Sequence, residues 1–231
     1  MSNINHTLIA DFPVFESFST QELNLVLNNA KSLRYPIGEI IFEQSAPAHS
    51  YFFLLHGHIR VTKITPEGKQ IGVRYINPGE FFGITEAIGI DRYPATATAA
   101  IDSIILCWPS SNWHPLMKDV PKLADKMLKI LGRKLQQTHT RIIELTTQSS
   151  EQRIANVLLD LSQNSGRQVG ENTEITFPIS RQDIAEMTGN TLHTVSRILS
   201  NWESRSIVKS GRKRISITNL EALKALAQKN T

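Results

Sequence analysis

The chain has 231 residues, 40% hydrophobic and 20% charged, with 25 Lys/Arg against 21 Asp/Glu for a net charge of +4. That length holds one large domain or two modest ones, and the composition is that of an ordinary globular protein. It excludes several classes. A single cysteine, Cys107, makes neither an intrachain disulfide nor the four-thiolate shell of an iron–sulfur cluster. No apolar run nears the roughly 20 residues of a bilayer-crossing helix. The start, MSNINHTLIADF, lacks the basic and apolar regions of a secretory signal, so a cytoplasmic location and no membrane partner are expected.

Charge is distributed unevenly. From Arg181 to Thr231 there are nine Lys/Arg and four Asp/Glu, a balance of +5, whereas residues 1–180 balance to −1. A basic C-terminal segment suggests a polyanionic partner, foremost nucleic acid.

In chain order, Thr20–Lys31 predicts a Thr-capped helix with Leu23, Val26 and Leu27 at helical spacing. From Leu33 to about Pro109, short β-rich runs alternate with turn signals. Strands are predicted over Glu39–Phe42, Tyr51–Leu55, Ile59–Ile64, Gln70–Ile76 and Thr96–Trp108, with a hairpin turn at Thr65-Pro66-Glu67-Gly68. Such spacing predicts an antiparallel roll or sandwich. Cys107 then falls in a strand, as a small apolar residue.

Pro121–Gln148 predicts one long helix. Ala124, Leu128, Leu131, Leu135, Thr138, Ile142 and Leu145 recur in steps of four and three, a heptad stripe. The helix exceeds the usual globular length of roughly 8–20 residues, which favours pairing with a second copy over lying on its own domain. A helix over Gln152–Leu161, a loop NSGRQVGENTE, a short strand ITFPIS, a basic hairpin KSGRKRISI and a final helix Leu220–Gln228 follow. The expected domains are 1–118, a β-roll; 119–148, the long helix paired with a second copy; and 149–231, the basic C-terminal unit. The fold class is α+β.

The segment Ser180–Glu203, SRQDIAEMTGNTLHTVSRILSNWE, carries the strongest motif. Ser180 is a good N-cap with Asp183 three residues on. Ala185 is small where two helices cross, Gly189 suits a turn with positive φ, and Thr191 caps a second helix. Val195, Ile198, Leu199 and Trp202 form its core face. This is the helix-turn-helix pattern, flanked by a strand and a basic hairpin as in the winged form. The remaining face holds Leu192, His193, Ser196, Arg197 and Ser200. In a major groove, Arg197 suits a bidentate bond to guanine O6 and N7. Ser180, Arg181, Gln182, Thr191 and Thr194 suit phosphates, and Arg212, Lys213 and Arg214 on the hairpin add general attraction.

Together these segments resemble the family of transcription regulators related to the cyclic-AMP receptor protein and the fumarate–nitrate regulator. The resemblance covers roughly residues 15–225. It rests on Tyr35–Glu39 (YPIGE), Tyr51–Val61 (YFFLLHGHIRV), Pro66-Glu67-Gly68 and Asn77–Gly83 (NPGEFFG), then the long helix and the winged helix-turn-helix. It implies a cyclic-nucleotide-binding-like β-roll, a homodimer on a palindromic DNA site with recognition helices ~34 Å apart, and RNA polymerase as a further partner. It places the effector pocket at Phe82, Gly83, Ile84, Pro94 and Ala95. There the chain departs from the cyclic-AMP type: Ile84 replaces the ribose-binding glutamate, and Pro94-Ala95 the phosphate-binding arginine–serine pair, with Glu86 and Arg92 nearby. Cyclic AMP in the usual mode is disfavoured, since a phosphate without a guanidinium is poorly held.

The segments Arg92–Ala97 (RYPATA) and His193–Arg197 (HTVSR) look most like the nitrogen-oxide-responsive branch, some members of which sense nitric oxide through haem. What remains is another small effector, a haem or none; among seven histidines, His114 and His139 are the candidate axial ligands, each otherwise a surface or packing histidine. His193 stands where better-known relatives carry a glutamate, implying a changed base preference beside Arg197. The alternative to a DNA-binding regulator is a ligand-binding module that controls a partner protein through the long helix. No GxSxG, P-loop, HExxH or paired-carboxylate pattern occurs, so no enzyme is expected.

Overall fold

The computed structural model describes residues 5–228, so the outermost residues of the expected domains, 1–4 and 229–231, lie outside the described residues. The chain forms two compact units. One comprises residues up to Ile64 together with Tyr75–Gln136, the other Thr65–Arg74 together with Gln137 onward.

In chain order, α1 (Thr7–Ala10) and α2 (Thr20–Leu27) precede a roll of two four-stranded sheets. The strands are β1 (Lys31–Tyr35), β2 (Ile40–Phe42), β3 (Ser50–His56), β4 (Ile59–Ile64), β5 (Gln70–Ile76), β6 (Phe81–Phe82), β7 (Thr96–Ala99) and β8 (Ser103–Pro109). The sheet orders are β1-β8-β3-β6 and β2-β7-β4-β5. Three expectations are corrected here. The cap of α2 is Ser19 rather than Thr20: its hydroxyl accepts from the Glu22 N–H at 3.2 Å, and Glu22 accepts from the Ser19 N–H at 2.7 Å. The helix stops at Leu27 because Lys31–Tyr35 ladders antiparallel with β8. The predicted strand Thr96–Trp108 is two strands in different sheets, broken at residues 100–102.

Strand β3 shows why the apolar run Tyr51–Leu55 is continuous. Successive side chains leave a strand on opposite faces. Tyr51 and Phe53 enter a core with Ile9, Phe15, Leu23, Val26, Trp108 and Trp113, on the helical side of the sheet. Phe52 and Leu54 enter a second core inside the roll, with Ile59, Ile76, Phe82, Ala97 and Ile105. Both faces are buried, so no polar alternation is visible. The Trp108 indole N–H donates to the Val26 carbonyl at 2.7 Å, tying α2 to the sheet. Two further helices follow, α3 (Trp113–Asp119) and the long α4 (Pro121–Thr147), whose Leu123 and Met127 join the outer core.

The second unit continues with α5 (Ser150–Ser165), β9 (Gly166–Val169), β10 (Asn172–Ile175), α6 (Arg181–Thr188), α7 (Leu192–Ser204), β11 (Val208–Gly211), β12 (Arg214–Ile217) and α8 (Leu220–Gln228). The strands form one sheet, β11-β12-β10-β9. The predicted loop NSGRQVGENTE thus contributes two strands. The predicted strand ITFPIS, by contrast, is an extended linker beyond Ile175: Phe177 and Ile179 are buried, but Pro178 interrupts any ladder. Among the described residues no helix is long and apolar enough to cross a membrane.

Candidate nucleic-acid interface

The interface is built on α6 and α7. The Ser180 hydroxyl accepts from the Asp183 N–H at 3.1 Å, while the Asp183 carboxylate accepts from the Ser180 N–H at 2.8 Å and hydroxyl at 2.6 Å. This closed capping box fixes where α6 begins. It ends on Gly189, whose φ of +65° is cheap only for glycine. A Cβ there would also meet Leu145 Cδ2 at 3.2 Å. Thr191 caps α7 by accepting from the Thr194 N–H at 3.1 Å.

Val195, Leu199 and Trp202 are completely buried and Ile198 nearly so. Burial of that face aims the opposite one at solvent: Leu192, His193, Arg197 and Ser200 are exposed, and Thr194 and Ser196 half-buried. Gln182 is exposed on α6, bonded to Glu186 at 3.1 Å. Beyond α7, β11 and β12 pair from Val208↔Ile217 to Gly211↔Arg214, leaving Arg212 and Lys213 as an exposed two-residue tip. The Ile179 N–H donates to the Lys213 carbonyl at 3.1 Å, anchoring this wing to the linker before α6. The N-terminus of α7, its exposed polar face and the basic tip suit a duplex: the helix dipole for phosphate, side chains for base edges.

Arg181 is placed differently from its expected role. Its Nη2 donates to Glu203 Oε2 at 3.1 Å and Ser210 Oγ at 2.8 Å, and its Nη1 to Ser200 Oγ at 3.5 Å. Two arginines that sequence reasoning passed over grip the turn of the motif. Arg153 donates to the Thr188 carbonyl at 3.0 Å, the Gln148 carbonyl at 2.7 Å and Asn190 Oδ1 at 3.1 Å. Arg141, on α4, donates to the Met187 carbonyl and to Glu144 at 2.8 Å. Both satisfy carbonyls left open at the end of α6. The only sequence signal was their sign, and their partners lie 35 and 46 residues away.

Of the residues assigned to the effector pocket, Phe82 and Gly83 sit among aromatic rings inside the roll, whereas Ile84 packs into the outer core. Phe42 stacks on Tyr93 with ring centroids 3.9 Å apart, and Phe52 on Phe82 at 5.1 Å. Gly83 has φ +65°, and a Cβ there would meet Phe52 at 3.0 Å and Phe42 at 3.3 Å. Phe82, Ile84 and Ala95 are buried and Pro94 is exposed. The Tyr93 hydroxyl donates to the Ser50 carbonyl at 2.6 Å, and burial pushes its pKa up to about 12. The two nearby charges are engaged elsewhere: Arg92 donates to the Ser45 carbonyl at 2.7 Å, and Glu86 lies 3.4 Å from His114 Nε2.

Neither candidate histidine fits a haem. His114 is on the surface against Glu86, with 77% of its side chain exposed, and His139 is exposed on α4; an axial ligand needs an apolar wall that neither has. Burial raises the pKa of the Cys107 thiol, as expected of a packed strand cysteine.

On α4 most of the heptad stripe lies off the face that buries Leu123 and Met127. Leu128 is 71% exposed, Leu135 58%, Ile142 55% and Leu145 47%. Thr138 is exposed too, and Ala124 and Leu131 are half-buried, Leu131 against the outer core.

Two family models match in this order: a cyclic nucleotide-binding domain over residues 32–119 and a Crp-like helix-turn-helix domain over residues 152–226. The chain is 20% identical over 216 residues to the CRP-like cAMP-activated global transcriptional regulator of Mycobacterium tuberculosis, covering 94% of this chain and 96% of that one. It is 26% identical over 203 residues to the fumarate and nitrate reduction regulatory protein of Salmonella typhi, covering 87% and 81%. Its fold matches that of FixK2 from Bradyrhizobium japonicum with a TM-score of 0.74 and 24% identity, over 87% of this chain and 99% of that one. With a cyclic-nucleotide-binding-type roll, a long helix and a winged helix-turn-helix in family order, this chain belongs to the family of DNA-binding transcription regulators related to the cyclic-AMP receptor protein and the fumarate–nitrate regulator.

Proposed function

We propose that the chain works as a homodimer on a palindromic duplex, with the two α7 helices in successive major grooves ~34 Å apart. The observation that carries this is the face of α7 left free when Val195, Ile198, Leu199 and Trp202 are buried. In this reading Arg197 bonds guanine, while His193 and Ser196 read the neighbouring base edges. Leu192 covers a thymine methyl. Ser180, Gln182, Thr191 and Thr194 hold phosphates together with the α7 amides, and Arg212 and Lys213 follow the backbone beyond them. Pairing of α4 along Leu128, Leu131, Leu135, Thr138, Ile142 and Leu145 joins the two copies, supported by the exposure of that stripe. Regulation passes to RNA polymerase.

The experiment is a binding titration on a duplex selected by the wild-type chain from a random library. Arg197→Ala should weaken binding by about 1–3 kcal/mol and relax selectivity at one base pair. Wild-type affinity and selectivity in that variant would remove α7 from the groove.

The proposal extends to a small effector at the roll, other than cyclic AMP, and to control of nitrogen-oxide metabolism. The first rests on Ile84, Pro94 and Ala95, which offer a cyclic phosphate and ribose no charged partner. The second rests on the likeness of RYPATA and HTVSR to the nitrogen-oxide-responsive branch. Haem is left out of it because His114 and His139 do not fit. A haem titration followed by absorption should therefore give no stoichiometric Soret band. A stoichiometric band that moves with nitric oxide and is lost in His114→Ala or His139→Ala would reverse that.

A further inference from the structure

The start of α6, the end of α7 and the first wing strand meet at one carboxylate. Glu203 Oε2 accepts from Arg181 at 3.1 Å, and Oε1 accepts from the Ser210 N–H at 2.9 Å and from the Ser210 hydroxyl. The Arg181 guanidinium closes the circuit by donating to Ser210 Oγ at 2.8 Å. Both carboxylate oxygens are used. Burial raises the Glu203 pKa, but the bonds from Ser210 and the charge of Arg181 outweigh it and hold the group ionised below the usual range.

This arrangement conflicts with a phosphate-binding role for Arg181. A guanidinium beside a carboxylate presents little net charge to a duplex. Nη2 is already shared between Glu203 and Ser210, so a phosphate would be left Nη1 and Nε, on a guanidinium whose charge Glu203 already offsets. What the circuit does instead is geometric. α7 carries the base-reading face, β11 leads to the basic tip at Arg212 and Lys213, and Arg181 stands in the first turn of the helix before them. One bonded cluster sets the distance from the groove-reading helix to the wing.

We propose that Arg181 and Glu203 are positioning residues that hold the wing at a fixed offset from the recognition helix, and that Arg181 makes no phosphate contact. This rests on α7 being the recognition helix. It is tested by operator affinity as a function of salt, on the full-length chain, with the selected duplex described above. The variants are Arg181→Gln, Glu203→Gln, their double, and Ser210→Ala, with Arg197→Ala as a control for the reading of α7.

Loss of a charge-assisted bond of this kind corresponds to a weakening on the order of tenfold. Arg181→Gln and Glu203→Gln should each show it, and the double variant should be no worse than either single, as for residues acting through one shared bond. The slope of log affinity against log salt should stay at its wild-type value. Ser210→Ala, which leaves the charges intact, should weaken binding in the same direction and also keep the slope.

A phosphate-binding arginine would behave otherwise. Arg181→Gln would flatten the slope by about 0.9 for each phosphate no longer neutralised, and Glu203→Gln would leave binding unchanged or tighten it by freeing the arginine. Either result overturns the proposal. If Arg197→Ala retained full affinity and selectivity, the reading of α7 would fall, and the wing offset would fall with it.

Discussion

Replacing Leu135 and Ile142 together by Asp should leave a folded monomer that has lost most of its affinity for a palindromic duplex. The two side chains are 58% and 55% exposed, so the fold of the single chain has little stake in them, and surface changes of this kind stay within about 0.5 kcal/mol. In a paired helix the same positions would be enclosed. Each apolar side chain then contributes roughly 1.5–3 kcal/mol of burial, and a carboxylate there must be desolvated or must hold the helices apart. A linked pair of heads gains an effective concentration that a single head lacks, and that gain reaches about 10²–10⁴ in avidity. The expected outcome is sedimentation as a monomer, unchanged circular dichroism, and operator affinity reduced by about a hundredfold or more. A double variant that still sediments as a dimer would move the interface off this stripe.

The far end of α4 gives this pairing a direct consequence. Leu145 lies against Gly189 and Arg141 bonds the Met187 carbonyl, so the last turns of the helix touch the bend between α6 and α7. Arg153 holds the same bend from α5. In the proposed dimer, a change in how two copies of α4 pair would therefore have a short physical route to the α6–α7 turn, without a chain of intermediates.

The features legible in the sequence were the local ones. Ser180, Ala185, Gly189, Thr191 and Val195 are each dictated by a constraint a few residues wide: a cap, a close crossing, a left-handed turn, a core position. The structure shows both caps, the left-handed turn and the buried Val195, and it buries Ala185. The roll was legible because its turns carry Pro and Gly. What escaped depends on partners distant in the chain. Gly166–Val169 and Asn172–Ile175 look like a polar loop, and Asn172–Ile175 is a strand because Thr173 pairs with Ile217 across the sheet. Phe177 and Ile179 alternate like a strand, yet the Ile179 N–H bonds a turn carbonyl rather than a ladder. The Arg181 site shows the same limit. A basic residue in a first helical turn points to phosphate, and only the fold brings Glu203 and Ser210, 22 and 29 residues on, into its reach.

Trp202→Ala should be the most damaging single change in the DNA-binding unit. The indole is completely buried on the core face of α7, and its N–H donates to Glu151 Oε1 at 2.9 Å. Removing so large a buried ring costs roughly 3–5 kcal/mol through lost transfer and a residual cavity. It also leaves the Glu151 carboxylate, in the first turn of α5, without its donor. Since typical domains hold only about 5–15 kcal/mol, the second unit should melt well before the roll, and denaturant unfolding should split into two transitions. Operator binding would disappear at temperatures where the far-ultraviolet signal of the roll persists. Trp202→Phe separates the two contributions: it keeps most of the ring volume, loses the bond to Glu151, and should cost about 1–2 kcal/mol. Arg197→Ala supplies the contrast, because its side chain is exposed; it should relax selectivity while the unfolding midpoint stays at the wild-type value. If Trp202→Ala kept that midpoint as well, the second unit would not owe its stability to this face of α7. Burial of that face would then no longer account for the aim of His193, Ser196 and Arg197 at the groove.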